Sequence, residues 1–388
     1  MVPNGWNEYE LHELCIKPIS YGIVQTGENI INGIPCIRVV DLTTEKMRPD
    51  EMIKTSHQIN KAYQKTILEK NDIVMALRGE VGLVRIIESH LIGANITRGL
   101  ARISARKEIV YPKYLLWQLR SPKFRTDLIR RVGGSALQEI SLTELRKVKS
   151  LVPPLAEQQK IAQILSTWDK AIAVTEQLLA NSQQQKKALM QKLLTGKKRL
   201  LDENGVRFSG EWKLAELNSV LDYHQPTPYL VTSTEYNNKY EIPVLTAGKT
   251  FILGYTNEKS GVYQNNLPVI IFDDFTTDSK FVDFPFKAKS SAMKILTAKE
   301  GISIRYVFEA MQMLKFSVGG HQRHWISIFS NLVIPIPKNH EQQKIAKVLS
   351  IADQEIESLQ YKLDCLQQEK KALMQQLLTG KRRVKVAA

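Results

Sequence analysis

Glu157-Gln158-Gln159-Lys160-Ile161-Ala162 and Glu341-Gln342-Gln343-Lys344-Ile345-Ala346 are the same six residues, read twice in one chain. Each opens a stretch of 41 residues, 157–197 and 341–381. Both stretches carry Lys-Lys-Ala-Leu-Met-Gln, at 186–191 and 370–375, and both close on Leu-Leu-Thr-Gly-Lys, at 193–197 and 377–381. The offset is 184 throughout, without a gap, and 24 of the 41 positions are identical. Identity at that level over an ungapped offset is an internal duplication, and the rest of the chain is organised around it.

Each copy reads as one long helix. Neither contains Gly or Pro before the Gly of Thr-Gly-Lys, a residue suited to a helix C-terminus. At 1.5 Å per residue each is roughly 55–60 Å long. A 4-3-4-3 register runs through Ile345, Leu349, Ala352, Ile356, Leu359, Leu363, Leu366, Lys370, Leu373 and Leu377. The first copy follows it with Ile161, Leu165, Trp168, Ile172, Thr175, Leu179, Ser182, Lys186, Leu189 and Leu193. That is a coiled-coil seam with polar residues at a few positions, and the nearest partner for one helix is the other. The repeat alone also fits a plain helical hairpin spacer, so what lies between the copies decides the matter.

With 388 residues the chain is long enough for two or three domains, and 43% hydrophobic residues are ordinary for a globular protein. Cys15, Cys36 and Cys365 are odd in number and lack metal-ligand spacing, which points to a reducing compartment without disulfides. No signal peptide and no apolar run of membrane-spanning length is visible, so the expected location is the cytoplasm. The formal net charge of +15 favours a polyanionic partner. It is uneven: residues 1–156 hold 23 basic and 16 acidic residues, whereas 201–340 hold 14 of each.

Residues 1–152 form a mixed region with short β-type runs at Ile34–Val40, Asp72–Leu77 and Gly82–Ile87. A helix over about Pro112–Arg131 follows, then a break at Gly133-Gly134-Ser135 and a polar segment, Ile140–Val152, that leads to Pro153-Pro154. Residues 201–336 repeat the plan in a different sequence. Strand-like runs lie at Glu241–Leu245, Thr250–Tyr255, Val269–Phe272 and Lys280–Phe284, and a helix spans about Ile302–Phe316 before Gly319-Gly320. Trp212 opens this region as Trp6 opens the first, and Pro337 precedes Glu341 by the interval that separates Pro153 from Glu157. The order is mixed domain 1–152, helix 153–200, mixed domain 201–336, helix 337–388. The helices keep their sequence and the domains do not, which suggests one helical task done twice and two different tasks for the domains.

These residues carry a resemblance to the specificity subunits of type I restriction–modification enzymes. Its carriers are Pro-Pro-Leu-Ala-Glu-Gln-Gln-Lys-Ile at 153–161, the echo from Pro337 to Ile345, and the two Leu-Leu-Thr-Gly-Lys ends. The two Gly-Gly breaks, Val-Ile-Ile-Phe-Asp-Asp at 269–274 and Phe-Val-Asp-Phe-Pro-Phe at 281–286 add to it. The resemblance implies an α+β chain with a pseudo-two-fold internal repeat. Two mixed α/β target recognition domains would be separated by two long antiparallel coiled-coil helices, and each domain would read one half of a split, asymmetric sequence in double-stranded DNA. It also implies two modification subunits that bind S-adenosylmethionine and methylate adenine, docked on the outer helix faces, and two restriction subunits that use ATP and Mg. The complex would be a type I site-specific deoxyribonuclease and adenine-N6 DNA methyltransferase, while this chain would hold no catalytic site and no metal. Helices of this length would hold two readers about one DNA turn or more apart. One departure stands out: Lys338-Asn339-His340 replaces Pro154-Leu155-Ala156, so the second helix is expected to start less tightly set. The other function class is a two-domain coiled-coil scaffold that binds protein or RNA outside restriction; an adjacent adenine methyltransferase gene would separate the two.

Base edges are read by residues such as Arg for guanine and Asn or Gln for adenine, and phosphates by Lys and Arg. In the first domain the candidates are Lys17, Tyr21, Gln25, Arg38, Arg78, Arg98, Arg102, Ser135 and Gln138. In the second they are Lys249, Lys280, Lys287, Lys289, Ser290, Gln322, Arg323 and His324. Any one of them reads more readily as a solvated side chain or a turn residue. Arg120, Lys123, Arg125, Arg130 and Arg131 form a phosphate stripe or a plain solvated helix face. Several patterns argue against chemistry in this chain. Ala247-Gly248-Lys249-Thr250 ends like a phosphate loop, but Pro243 stands where its first Gly belongs and a strand pattern follows. Asp278-Ser279-Lys280 lacks an upstream carboxylate at nuclease spacing, and His321 with His324 is too few ligands for a metal. Neither Asn-Pro-Pro-Tyr nor Asp-Pro-Pro-Tyr, the adenine-methyltransferase pocket motifs, occurs.

Overall fold

The computed structural model describes all residues except Met1, Glu45, 134–137, 247–249, 315–324, 326–327 and 387–388. Two compact units result: Met1–Thr175 with Lys362–Ala388, and Glu176–Tyr361. The long helices span Leu155–Leu193 and Asn339–Leu377, 39 residues each, so both contribute to both units.

In the first unit the strands are β1 (Asn7–Glu10), β2 (Ser20–Tyr21), β3 (Ile34–Ile37), β4 (Ile53–Thr55), β5 (Ile73–Ala76), β6 (Val84–Ile86), β7 (Asn95–Ile96), β8 (Leu100–Ile103) and β9 (Lys149–Val152). The helices are α1 (His57–Ala62), α2 (Pro112–Arg120), α3 (Pro122–Arg130), α4 (Leu142–Arg146) and the long α5 (Leu155–Leu193). One sheet has the order β2-β8-β5-β6, all antiparallel; another has β4-β3-β7, with β3 and β7 parallel. The strand runs read from sequence correspond to β3, β5 and β6, and two features differ from expectation. The helix expected over 112–131 is broken, because Pro122 has no N–H to continue the ladder; Ser121 instead caps α3, its Oγ accepting from Phe124 N–H at 3.1 Å. The polar run 140–152 contains α4 and then β9, which pairs with β1 in the register Asn7↔Val152. That pairing joins the start of the domain to the strand before α5, a non-local contact with no local signature.

The second unit repeats this plan. Its strands are β10 (Lys213–Glu216), β11 (Leu221–His224), β12 (Ile242–Leu245), β13 (Ile252–Thr256), β14 (Val269–Asp273), β15 (Ser279–Val282), β16 (Lys287–Ala288), β17 (Met293–Ala298) and β18 (Val333–Ile336). Its helices are α6 (Leu217–Val220), α7 (Ile304–Met311) and the long α8 (Asn339–Leu377). The sheet orders β11-β17-β14-β15 and β13-β12-β16, and the pair β10–β18, match the first unit strand for strand. Strand β17, absent from the sequence reading, is the buried centre of its sheet and lies between β11 and β14.

Every seam position named above is buried or half-buried. Within each unit the helix segments run antiparallel. In the first unit Glu157 meets Arg383 and Asp169 meets Lys370; in the second Lys186 meets Asp353 at 2.6 Å and Arg199 meets Glu341. The seam's polar Ser182 donates to Glu355 at 3.1 Å.

The repeated Glu-Gln-Gln is a doubled anchor. Arg383 donates from Nε and Nη2 to Glu157, both at 2.7 Å, and from Nη1 to the Asn4 carbonyl; its guanidinium lies 5.8 Å from the Trp6 ring centre. Arg199 does the same in the second unit, to Glu341 at 2.6 and 2.7 Å and to the Gly210 carbonyl, 5.4 Å from the Trp212 ring. Both glutamates are buried, so each needs its bidentate partner. Gln158 donates to the Pro153 carbonyl at 2.8 Å and accepts from Tyr111 N–H; Gln342 donates to the Pro337 carbonyl at 2.9 Å and accepts from Ser303 N–H. The expectation of a looser second start is thereby overturned: α8 is held by the same bonds as α5, and Asn339 adds one to the Gly301 carbonyl at 2.7 Å. Gly196 and Gly380, at φ +70° and +69°, show why both helices end on Gly, since L side chains rarely adopt that conformation; at Gly380 a Cβ would also lie 2.4 Å from Pro3.

Candidate nucleic-acid interface

In the first unit the end of β5, the β7–β8 turn and the residue after β3 come together. Val39 is the hinge of this patch. A Cβ at Gly99 would meet Val39 Cγ2 at 3.0 Å and Arg78 Nε at 3.1 Å, and one at Gly79 would meet Val39 Cγ1 at 3.9 Å. Each of these three residues directly follows a candidate arginine, so Arg38, Arg78 and Arg98 border one patch. Arg98 N–H donates to the Ile23 carbonyl at 2.8 Å, which brings the Tyr21–Gln25 segment alongside. Arg78 is bridged to Glu139, and Ile140 N–H donates to the Leu77 carbonyl, which brings Gln138. Tyr21, Gln25, Arg78, Arg98 and Gln138 are exposed and Arg38 is half-exposed.

Two candidates lie elsewhere. Lys17 pairs with Glu69 at 2.5 Å near the start of β5, the opposite end from Arg78, and its hydrogen bond holds the Glu69 carboxyl below the usual range. Arg102 is a correction. Its side chain is 3% exposed and donates to Asp72 at 2.7 Å and to the Lys65 carbonyl, while Ser104 donates to the same Asp72. It is a core ion pair. The stripe 120–131 also dissolves: Arg120 packs 5.2 Å over Trp117, Arg131 pairs with Asp127 and Glu144, and only Lys123, Arg125 and Arg130 stand out from α3.

In the second unit Lys289 and Ser290 follow β16 as Thr97 and Arg98 follow β7. Lys289 is half-buried, 5.8 Å over the Tyr236 ring, and Ser290 is exposed, its Oγ accepting from Ala292 N–H. Lys280 is exposed on the edge strand β15. Asp274 of the Val-Ile-Ile-Phe-Asp-Asp run is paired within the domain. Its buried carboxylate accepts from Trp325 N–H at 2.9 Å and lies 3.4 Å from the equally buried Lys294 ammonium. Ser135, Lys249, Gln322, Arg323 and His324 lie outside the described residues.

Residues 3–181 and 209–368 match the type I restriction modification DNA specificity domain. The chain belongs to that family. It is 50% identical over 145 residues to the specificity subunit of the Escherichia coli type I restriction enzyme EcoR124I/EcoR124II, a match that spans 36% of this chain and only 35% of that subunit. It is 26% identical, over 99% of its length and 95% of the relative's, to the putative type I restriction enzyme MjaX specificity subunit of Methanocaldococcus jannaschii. Among solved structures, the S subunit from M. genitalium shares the fold, with a TM-score of 0.68 at 15% identity over 97% of this chain and 98% of that one.

Within this specificity-family fold, the sequence reading did not name Phe275. It is 43% exposed and follows β14 as Arg78 follows β5, so aligning the two domains by strand order is the signal that finds it. Lys287 is the second correction. It is 2% exposed, pairs with Glu258 at 2.7 Å and donates to the Ser260 carbonyl. Burial favours the neutral acid in Glu258, but hydrogen bonds from Lys287, Ser233 N–H and Thr232 outweigh it and hold the carboxyl at about 2. A carboxyl depressed in the folded state stabilises above the unfolded value of about 4.3 and loses that contribution as pH falls towards 2. Glu258→Gln is therefore expected to cost about 1–2 kcal/mol at pH 7, solvent screening reducing the full effect, and little near pH 2. Urea unfolding at both pH values checks this; an equal cost at both would show that the charge does not matter.

Proposed function

We propose that the chain is the DNA-reading, non-catalytic subunit of a type I restriction–modification complex, with one mixed domain per half of a split target. The observation that carries this is the doubled plan: two units with one strand order and one Arg–Glu–Trp anchor on repeated helices, but with different residues on the corresponding loops. A duplicated scaffold with diverged reading loops suits a target whose halves differ. The net charge of +15 supports a polyanionic partner. Modification subunits, which would hold S-adenosylmethionine, would dock on the long helices, where Val174, Leu178 and Ile351 are exposed apolar residues. Restriction subunits would supply the ATP- and Mg-dependent steps, two copies of each kind completing the complex. No helix among the described residues is long and apolar enough to cross a membrane.

Mapping methylated adenines in a host that expresses this chain with its modification subunit tests the reading. A split, asymmetric motif is expected. Arg98→Ala and Gln138→Ala should each weaken one half-site only; a lost base contact costs about 1–3 kcal/mol at one position, whereas a lost phosphate contact lowers affinity for all sequences and flattens the salt dependence. A continuous motif, or none, would sink the proposal.

A further inference from the structure

Arg38 is more ordered than a surface arginine needs to be. It caps the short 3-10 turn Val39–Thr43, in which Asp41 accepts from Arg38 N–H at 2.7 Å. The same carboxylate accepts from Arg38 Nε at 3.1 Å and from Nη2 at 2.9 Å. One edge of the guanidinium is thus gripped by a carboxylate that its own turn holds in place, and the Asp41 side chain is only 12% exposed. The other edge, Nη1 with the second N–H of Nη2, has no hydrogen-bond partner among the described residues, and the Arg38 side chain is 37% exposed. Arg78 and Arg98, at the same patch, have no carboxylate partner among the described residues, and both are exposed.

An arginine edge offers two parallel donors in a fixed plane, and fits two acceptors side by side. In the major groove guanine shows such a pair, O6 and N7, whereas adenine sets a donor beside its acceptor. A carboxylate behind the guanidinium fixes its plane and rotamer before binding, so less freedom is lost on contact. The same carboxylate repels phosphate, so this arginine is poorly suited to backbone contact. We infer that Arg38, positioned by Asp41, reads one guanine in the half-site of the first domain. The inference rests on the proposed DNA-reading function and adds to it a base and a positioning residue.

The test is methylation mapping of the assembled complex with Arg38→Ala, Arg38→Lys and Asp41→Asn, beside melting curves for each. The half-site concerned is the one that Arg98→Ala alters. It should contain a G·C pair, and both Arg38 variants should relax that position, with other bases accepted about tenfold more readily or better, while the other half-site and the spacer stay unchanged. Arg38→Lys keeps the charge and loses the fork, so relaxation there separates base reading from simple attraction. Asp41→Asn should relax the same position in part. A purely structural role for either residue would instead lower methylation evenly at all sites. An unchanged motif, relaxation at an A·T pair, or an even loss overturns the inference; a wild-type motif that is not split sinks the parent reading instead.

Discussion

Lys186→Met is expected to destabilise the second unit by about 3 kcal/mol or more, while Lys370→Met, the same position of the other repeat, should cost about 1 kcal/mol. The two lysines stand in identical sequence, Lys-Lys-Ala-Leu-Met-Gln, and each pairs with an aspartate of the opposite helix, Asp353 or Asp169. What the domain brings to them differs. In the second unit it brings Glu309, whose side chain is fully buried, with Lys186 3.1 Å and Arg305 2.9 Å away. Neither Glu309 oxygen forms a well-directed hydrogen bond, so charge neutralisation alone holds it, and burial pushes its carboxyl above the usual range. Removing Lys186 leaves two acids, Glu309 and Asp353, sharing Arg305. Breaking one partner of such a buried group typically costs about 3–5 kcal/mol. In the first unit Lys370 lies 5.0 Å over Trp117 instead, and Asp169 is 40% exposed, so water takes over when the lysine goes. Hydrogen exchange of the α7 and α2 amides reads each unit separately. Lys186→Met with Glu309→Leu should recover most of the loss, because apolar replacement of a buried ion pair is often neutral. Equal losses for the two lysines would remove Glu309 from the explanation.

That contrast shows which parts of the structure a sequence can reveal. The helices are legible because their signal is local and doubled: the seam, the closing Gly and the repeated Glu-Gln-Gln all lie within 41 residues. The role of the motif's Glu is not, since its partner stands 226 residues away for Glu157 and 142 for Glu341. The same holds for β9, which reads as the end of a polar segment until β1 pairs with it, and for β18, whose partner β10 lies far along the chain. Among the candidate contacts, Arg98 and Arg102 were indistinguishable as residue types. Arg98 sits in the turn before β8 and is exposed; Arg102 sits within β8, where its strand neighbours Ala101 and Ile103 are also buried and Asp72 waits across the sheet. Lys287 likewise reads as a basic surface residue until Glu258 and the Ser260 carbonyl enclose its ammonium. In each case a partner far along the chain, and not the basic residue's own surroundings in sequence, decides its role.

Seven residues inserted in both long helices should lengthen the spacer of the split target by about three base pairs while leaving both half-sites unchanged. A heptad is the insertion that keeps the seam in phase. Within the second unit Ser182 meets Glu355 and Lys186 meets Asp353, so the antiparallel register sets Gln177 opposite the region of Tyr361, and 177 and 361 are also equivalent positions of the repeat. Insertions after these two residues therefore add matching turns at facing points, without disturbing the Glu–Arg anchors or the charged pairs further along. The added helix is roughly 10 Å at 1.5 Å per residue, and DNA rises about 3.4 Å per base pair. Three pairs also rotate the second half-site by roughly 100°, given about 10.5 pairs per turn. The helices' supercoil supplies only part of that rotation, so methylation at the new sites should be weaker than at the original sites with the parent chain. Insertion in one helix alone should be far worse, because the seam and the anchors at one end can no longer both close. Methylation mapping reads all of this at once. An unchanged spacer with full activity from the double insertion would mean that the helices do not set the distance, and that the two domains find their half-sites through flexible linkage.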